Sequence, residues 1–213
     1  MLPDHIKTLL EENEIRFVLA QFVDIHGVAK TKSVPFHCLE NILTDGAGFA
    51  GFAVSGLGMA PHESDFMAIG DIETLTPVPW QPGYARIACT GHVDDAPHPL
   101  DSRHILQAQI ARLSAHGWTM NTGLEPEFCL FARREDGRLE PYDGTDSLDK
   151  PCYDYKGLAR ASAFLETFVA NLQAIGFDIY QIDHEDANAQ FEINYTHSDA
   201  LTSADRFMLL RMG

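Results

Sequence analysis

Two glutamates stand two residues apart in Gly123-Leu124-Glu125-Pro126-Glu127-Phe128-Cys129-Leu130-Phe131. Read as a strand, this stretch sends Glu125, Glu127, Cys129 and Phe131 to one face and Leu124, Pro126, Phe128 and Leu130 to the other. Like charges about 4 Å apart repel by roughly 1 kcal/mol in water, and by several times more at lower effective dielectric. A divalent cation would remove that repulsion. A second acidic run follows at Asp183-His184-Glu185-Asp186-Ala187-Asn188-Ala189-Gln190-Phe191-Glu192. If a strand starts near Ala189, then Gln190, Glu192 and Asn194 share a face opposite Phe191, Ile193 and Tyr195, and a turn brings Glu185 toward Glu192. Magnesium and manganese take carboxylate oxygens and leave places for water and phosphate. Glu125, Glu127, Glu185 and Glu192 on one sheet face would offer that set. The competing reading is two unrelated, solvated acidic turns. His184 either orients Glu185 or is an ordinary hydrogen-bonded histidine.

Composition narrows the partners. The 213 residues carry 31 acids against 15 lysines and arginines, a formal charge of −16. Nucleic acid and anionic membranes need basic surface, so neither is expected as the main partner. A nucleotide triphosphate remains compatible, given metals and a few placed arginines. Cys38, Cys89, Cys129 and Cys152 show no C-x-x-C spacing; they read as mostly buried thiols in a reducing compartment. Met1-Leu2-Pro3-Asp4 lacks a basic start, and Phe49 to Ala60 is too short and glycine-rich to span a bilayer. These features point to a cytoplasmic protein.

Two units must position the acids. In the first, Pro3 and Asp4 open a helix through about Glu12, and Arg16 to Ile25 and Val28 to Val34 form a hairpin around His26-Gly27. A short helix from Phe36 to Leu43, a glycine-rich loop from Gly46 to Gly58, and strands at Phe66 to Ile69 and Ala85 to Val93 follow. The boundary falls near Asp94 to Pro99. Beyond it, Asp101 or Ser102 caps a helix with Leu106, Ile110 and Leu113 on one face. Arg133 to Lys150 reads as a surface excursion. Leu158, Ala161, Leu165, Phe168, Leu172 and Ile175 mark one sheet-packed helix ending at Gly176. Strands at Phe177 to Ile182 and Gln190 to Tyr195 come next. A final helix starts near Ser198 or Asp199, with Leu201, Ala204 and Met208 on one side, and is still amphipathic at Gly213, so the end reads as a cut. Trp80 and Trp118 are expected in core or interface, and Arg86 and Arg103 as surface or ion-paired groups.

Gly-Leu-Glu-Pro-Glu-Phe-x-Leu-Phe, followed by His-Glu-x-x-x-x-Gln-Phe-Glu-Ile, resembles the glutamine synthetase family along the whole chain. Phe22-Val23-Asp24-Ile25-His26-Gly27, Glu63-Ser64-Asp65 and Asp199 to Arg206 extend the likeness. The wording of Leu148 to Asp154 and Ile182 to Asn188 is most similar to the bacterial branch holding γ-glutamylmethylamide synthetases and type III synthetases. The resemblance implies an α+β chain: a β-grasp domain over 1–95, then over 96–213 the start of an ATP-dependent ligase domain with a curved antiparallel sheet and helices. It implies that Glu127, Glu185 and Glu192 hold Mg2+ or Mn2+ on the glutamate side and Glu125 the metal bridging the ATP phosphates. No further catalytic residue is assigned. The implied reaction phosphorylates the γ-carboxylate of L-glutamate with ATP, after which ammonia or a small alkylamine attacks the acyl phosphate. A homo-oligomeric ring is the expected assembly, with the glycine-rich loop meeting a neighbour.

Two departures qualify this. Ammonia-using relatives carry Asp-Gly-Ser-Ser where this chain reads Ala50-Gly51-Phe52-Ala53; loss of the carboxylate beside an aromatic ring favours methylamine or a similar alkylamine. The family's glutamate loop, its remaining phosphate-side metal ligands and its phosphate-binding arginines lie beyond Gly213, so the 213-residue chain is expected to be inactive alone. The alternatives are a γ-glutamylpolyamine synthetase, which would want a more acidic amine site, and a non-catalytic subunit that associates with a full-length ligase.

Overall fold

The computed structural model describes residues 2–213. The chain divides into two compact units, one comprising residues up to Met120 together with Asp199–Met212, the other Asn121–Ser198. In the first unit, helix α1 (Asp4–Glu12) is followed by strands β1 (Phe17–Val23) and β2 (Ala29–Pro35), helix α2 (Leu39–Thr44), and strands β3 (Ala47–Phe49), β4 (Phe66–Gly70), β5 (Thr76–Pro77), β6 (Tyr84–Val93) and β7 (Ala96–Pro97). The main path of the sheet is β2-β1-β6-β4-β3. β1 runs antiparallel to β2 and parallel to β6, as a β-grasp requires. The hairpin turn is held by Asp24, whose Oδ1 accepts the His26 and Val28 amides at 2.9 and 3.0 Å. Burial works against the Asp24 charge, but these amides and Lys30 outweigh it and hold its pKa below the usual carboxylate value.

The core of this unit forms where apolar stripes from α1 (Ile6, Leu10) and α2 (Leu39, Ile42) meet Val18, Phe22, Phe66 and Ile87 of the sheet. Each such fully buried side chain contributes about 1.5–3 kcal/mol. Helices α3 (Ser102–Ser114) and, later in the chain, α6 (Ala200–Leu210) also belong to this unit. Asp101 and Asp199 cap them by accepting the amides of the first turn.

The second unit contains β8 (Asn121–Thr122), β9 (Glu127–Cys129), β10 (Phe131–Arg133), β11 (Leu139–Pro141), α4 (Tyr155–Arg160), α5 (Ser162–Ala174), β12 (Ile179–His184) and β13 (Gln190–Tyr195). β12, β13 and β9 form an antiparallel sheet in that order. Ala161, Leu165, Ala189 and Phe191 make its buried cluster, with Phe128, Leu130, Leu158 and Ile182 packed around them. Gly176, at φ +87°, ends the helical region in the left-handed conformation that glycine adopts without steric cost.

Several expectations are corrected. The helix expected from Leu158 to Ile175 is two, broken at Ala161, where φ −90° and ψ 0° leave the helical region. The helix bearing Leu106, Ile110 and Leu113 forms, but none of its residues is fully buried. Arg86 is not at the surface and, among the described residues, forms no direct salt bridge: it is 1% exposed and its Nε donates to Gln21 Oε1 at 3.0 Å. Arg103 is ion-paired as expected, to Asp205 and Asp71. Of the two places expected for Trp118, core and interface, its 65% exposure excludes the core of this chain. Of the four cysteines only Cys89 is buried; Cys129, on an outward position of β9, is exposed.

Candidate metal centre

The alternation expected around Glu125 is present: Glu125, Glu127 and Cys129 are exposed, while Leu124, Pro126, Phe128 and Leu130 are half-buried. The apolar set faces α5, where the Phe128 ring lies 6.0 Å from those of Phe164 and Phe168. That packing sends the glutamates to the opposite face. The Pro126 carbonyl accepts the Ile193 amide, which ties the Glu125–Glu127 segment to β13.

Register then brings the acids together. Glu127 lies directly across from Glu192, and Glu192 directly across from Asp183. Residues paired in this way project to the same face of an antiparallel sheet. The link between β12 and β13 closes tightly, the Glu185 amide donating to the Gln190 carbonyl at 2.9 Å. Carboxylate oxygens of Asp183, Glu185 and Glu192 converge to within 4.8 Å of one another. Glu127 is on the adjoining strand, its Oε2 accepting from Gln190 Nε2 at 2.6 Å. Glu125 lies two residues before it, exposed. The sequence set is therefore split: Glu185 and Glu192 meet, Glu127 flanks them, and Glu125 is outside the convergence.

Asp183 is the member that sequence reasoning passed over. The available signal was period two: Asp183 and Glu185 share a face if β12 extends to His184.

The electrostatics fit a divalent cation. Burial, a hydrogen bond shared with Glu185, and the charges of Asp183 and Glu185 push the Glu192 carboxyl up to about 7, against a smaller opposing contribution from Asn194. Burial and the charge of Glu185 raise Asp183, and its Oδ1 is buried with no hydrogen-bond partner among the described residues. The Tyr153 hydroxyl is raised chiefly by the charge of Glu185. An unpartnered buried carboxylate oxygen beside two more carboxylates is the donor set of a hard divalent ion, and the residues fit one.

Behind the acids sits a buried hydrogen-bonded support. His184 is 1% exposed; its Nδ1 faces the Glu185 carbonyl oxygen and its Nε2 faces Asp146 Oδ2, each at 2.8 Å. Asp146 belongs to the expected surface excursion, yet it is 7% exposed. Burial alone would raise its pKa, but the Ala189 amide, His184 and Asn188 hold it below the usual carboxylate range.

Comparison with known proteins agrees with this layout. The sequence model described as glutamine synthetase, beta-grasp domain, matches residues 14–92, and that described as glutamine synthetase, catalytic domain, matches residues 99–213. The chain belongs to the glutamine synthetase family. Within it, the chain is 56% identical over 214 residues to a glutamate–methylamine ligase of Methyloversatilis universalis, covering 100% of this chain and 48% of that protein. It is 33% identical over 201 residues to a glutamine synthetase of Rhizobium meliloti, covering 94% and 45%. A solved structure of a GmaS/ADP complex superposes with a TM-score of 0.90 at 35% identity, covering 97% of this chain and 47% of that one. The chain thus spans about half the length of the curated relatives it matches. Among the described residues, no helix is long and apolar enough to cross a membrane.

Proposed function

We propose that this chain carries the β-grasp and the metal-holding corner of an ATP-dependent glutamate–amine ligase whose amine is methylamine or a comparable small alkylamine. The convergence of Asp183, Glu185 and Glu192 opposite Glu127, in a member of this family, is the observation that carries the reading. Asp183, Glu185 and Glu192 would hold Mg2+ or Mn2+, with Glu127 at its flank and Glu125 toward the nucleotide phosphates. The bound ion would supply charge neutralisation for transfer of the ATP γ-phosphoryl group to the γ-carboxylate of glutamate. The carboxylates themselves contribute position: they are built on paired strands, so their separation is set by sheet register rather than by loop motion. Attack of the neutral amine on the resulting acyl phosphate would form the amide as the carbon–oxygen bond to phosphate breaks, releasing inorganic phosphate and a proton from the nitrogen.

The alkylamine assignment rests on Ala50 and Phe52. Both are exposed, Phe52 by 54%, Ala50 just before and Phe52 on a short turn of 3-10 helix after β3. A methyl group and an aromatic ring leave no carboxylate there to favour bare ammonium, while an aromatic face still attracts an alkylammonium. The identity to a methylamine ligase runs the same way. In an enzyme of the relatives' full length, steady-state kinetics should give a lower KM for methylamine than for ammonia. A lower KM for ammonia would overturn the assignment.

A further inference from the structure

From the contacts behind the acidic corner we infer that Asp146 and His184 form a positioning clamp that sets the separation of the cation-holding carboxylates; this rests on the metal-centre reading above. The clamp reaches the link between β12 and β13 at three points. Asp146 Oδ2 accepts the Ala189 amide at 2.6 Å and faces His184 Nε2 at 2.8 Å, while the Asp146 carbonyl accepts Asn188 Nδ2 at 2.6 Å. His184 in turn meets the Glu185 carbonyl through Nδ1. The Asp146 side chain therefore holds residues 184 and 189, its backbone carbonyl holds 188, and His184 meets the carbonyl of 185.

The link needs such a hold. Ala189 sits at φ +55°, a left-handed conformation that residues bearing a Cβ avoid. It is also fully buried, so its amide has no water to fall back on. Releasing Asp146 would leave that amide unpaired and remove the restraint on the turn from Glu185 to Gln190. Glu185 and Glu192 stand on either side of that turn, so any change in its path alters their spacing. Cations bound by oxygen donors are sensitive to such spacing, and groups that support a metal's direct ligands commonly carry ten- to hundredfold effects on affinity.

The imidazole has a fixed seat. A Cβ placed on Gly157 of α4 would lie 2.4 Å from His184 Cδ2 and 2.8 Å from its Nε2. Only glycine lets the helix backbone approach the ring this closely, and any larger residue would displace the ring from Asp146.

The test is Mn2+ titration, followed by the enhancement of water-proton relaxation, on the wild-type chain, Asp146→Ala, Gly157→Ala and a control, Leu172→Ala. Leu172 is fully buried on α5 and is outside both the clamp and the cluster around Phe191. The expected result is a Kd for Mn2+ raised ten- to hundredfold in Asp146→Ala and Gly157→Ala. The control should lower the melting temperature and leave Kd within twofold. Asp146→Asn, which retains one acceptor oxygen, should recover part of the affinity. If Mn2+ binds the wild type and both clamp variants alike, the clamp is overturned and the metal centre stands. If Mn2+ does not bind the wild-type chain, both fall.

Discussion

Glu192→Gln should act in opposite directions on the metal-free and metal-bound chain. In the absence of metal, the folded chain holds a proton on Glu192 up to about pH 7, whereas the ordinary value for the carboxyl is 4.5. A raised acid means that the folded state binds more protons than the unfolded state between those values. Stability therefore falls as pH rises from about 4.5 to about 7, and levels off above. At roughly 1.4 kcal/mol per tenfold, the full displacement would amount to about 3 kcal/mol at pH 8. Glu192 is partly exposed, and solvent screening reduces this to about 1–2 kcal/mol. Replacement by the neutral, near-isosteric glutamine removes the repulsion from Asp183 and Glu185. The metal-free variant should then melt about 3–6 °C higher than wild type at pH 8, with little difference near pH 5. Mn2+ should reverse the order. A hundredfold excess over Kd stabilises a binding-competent chain by about 2.7 kcal/mol, and the variant, lacking one donor carboxylate, should gain much less. The assay is thermal unfolding followed by circular dichroism at pH 5 and 8, with and without Mn2+. A variant that is destabilised without metal at pH 8, or that gains as much from Mn2+ as wild type, would refute the electrostatic account.

Other expectations follow from the same geometry. Metal binding to wild type should release close to one proton at pH 6 and very little at pH 8, because the bound form needs Glu192 ionised; calorimetry in two buffers of different ionisation enthalpy measures this. Arg103→Met should destabilise the first unit by about 2–4 kcal/mol, since it strands Asp205 and partly exposed Asp71, as read by urea unfolding. Ala50→Asp in an enzyme of full family length should lower KM for ammonia relative to methylamine by about tenfold, measured in the same steady-state assay. The purified 213-residue chain should form no detectable γ-glutamylamide from ATP, glutamate and methylamine, and a measurable rate would show that this half of the family's length suffices for chemistry.

Much of the fold was legible because short-range physics decides it. The β1–β2 hairpin follows from an apolar run that ends at the His26-Gly27 turn and a β-branched, lysine-bearing edge strand after it, and Asp101 and Asp199 cap helices because their side chains can reach amides of the next turn. The break at Ala161 was not legible, since apolar spacing continues unbroken through it. Arg86 was misplaced for a related reason. The exposure of an aromatic ring or a guanidinium depends on which elements cover it, and a local pattern carries no information about that.

Within the candidate site, alternation along a strand put Glu125 and Glu127 on one face and Glu192 on the face of its own strand, because alternation is a local property. That Glu125, Glu127, Glu185 and Glu192 share one face was an expectation with two unrelated acidic turns as its alternative. The one-dimensional pattern could not add Asp183, exclude Glu125 from the convergence, or bring Asp146 beneath His184. Those facts depend on the register of β12 against β13, the tightness of the link between them, and a loop returning from some forty residues away. Alternation tells which way a side chain points; only the packed chain decides which other side chains it finds there.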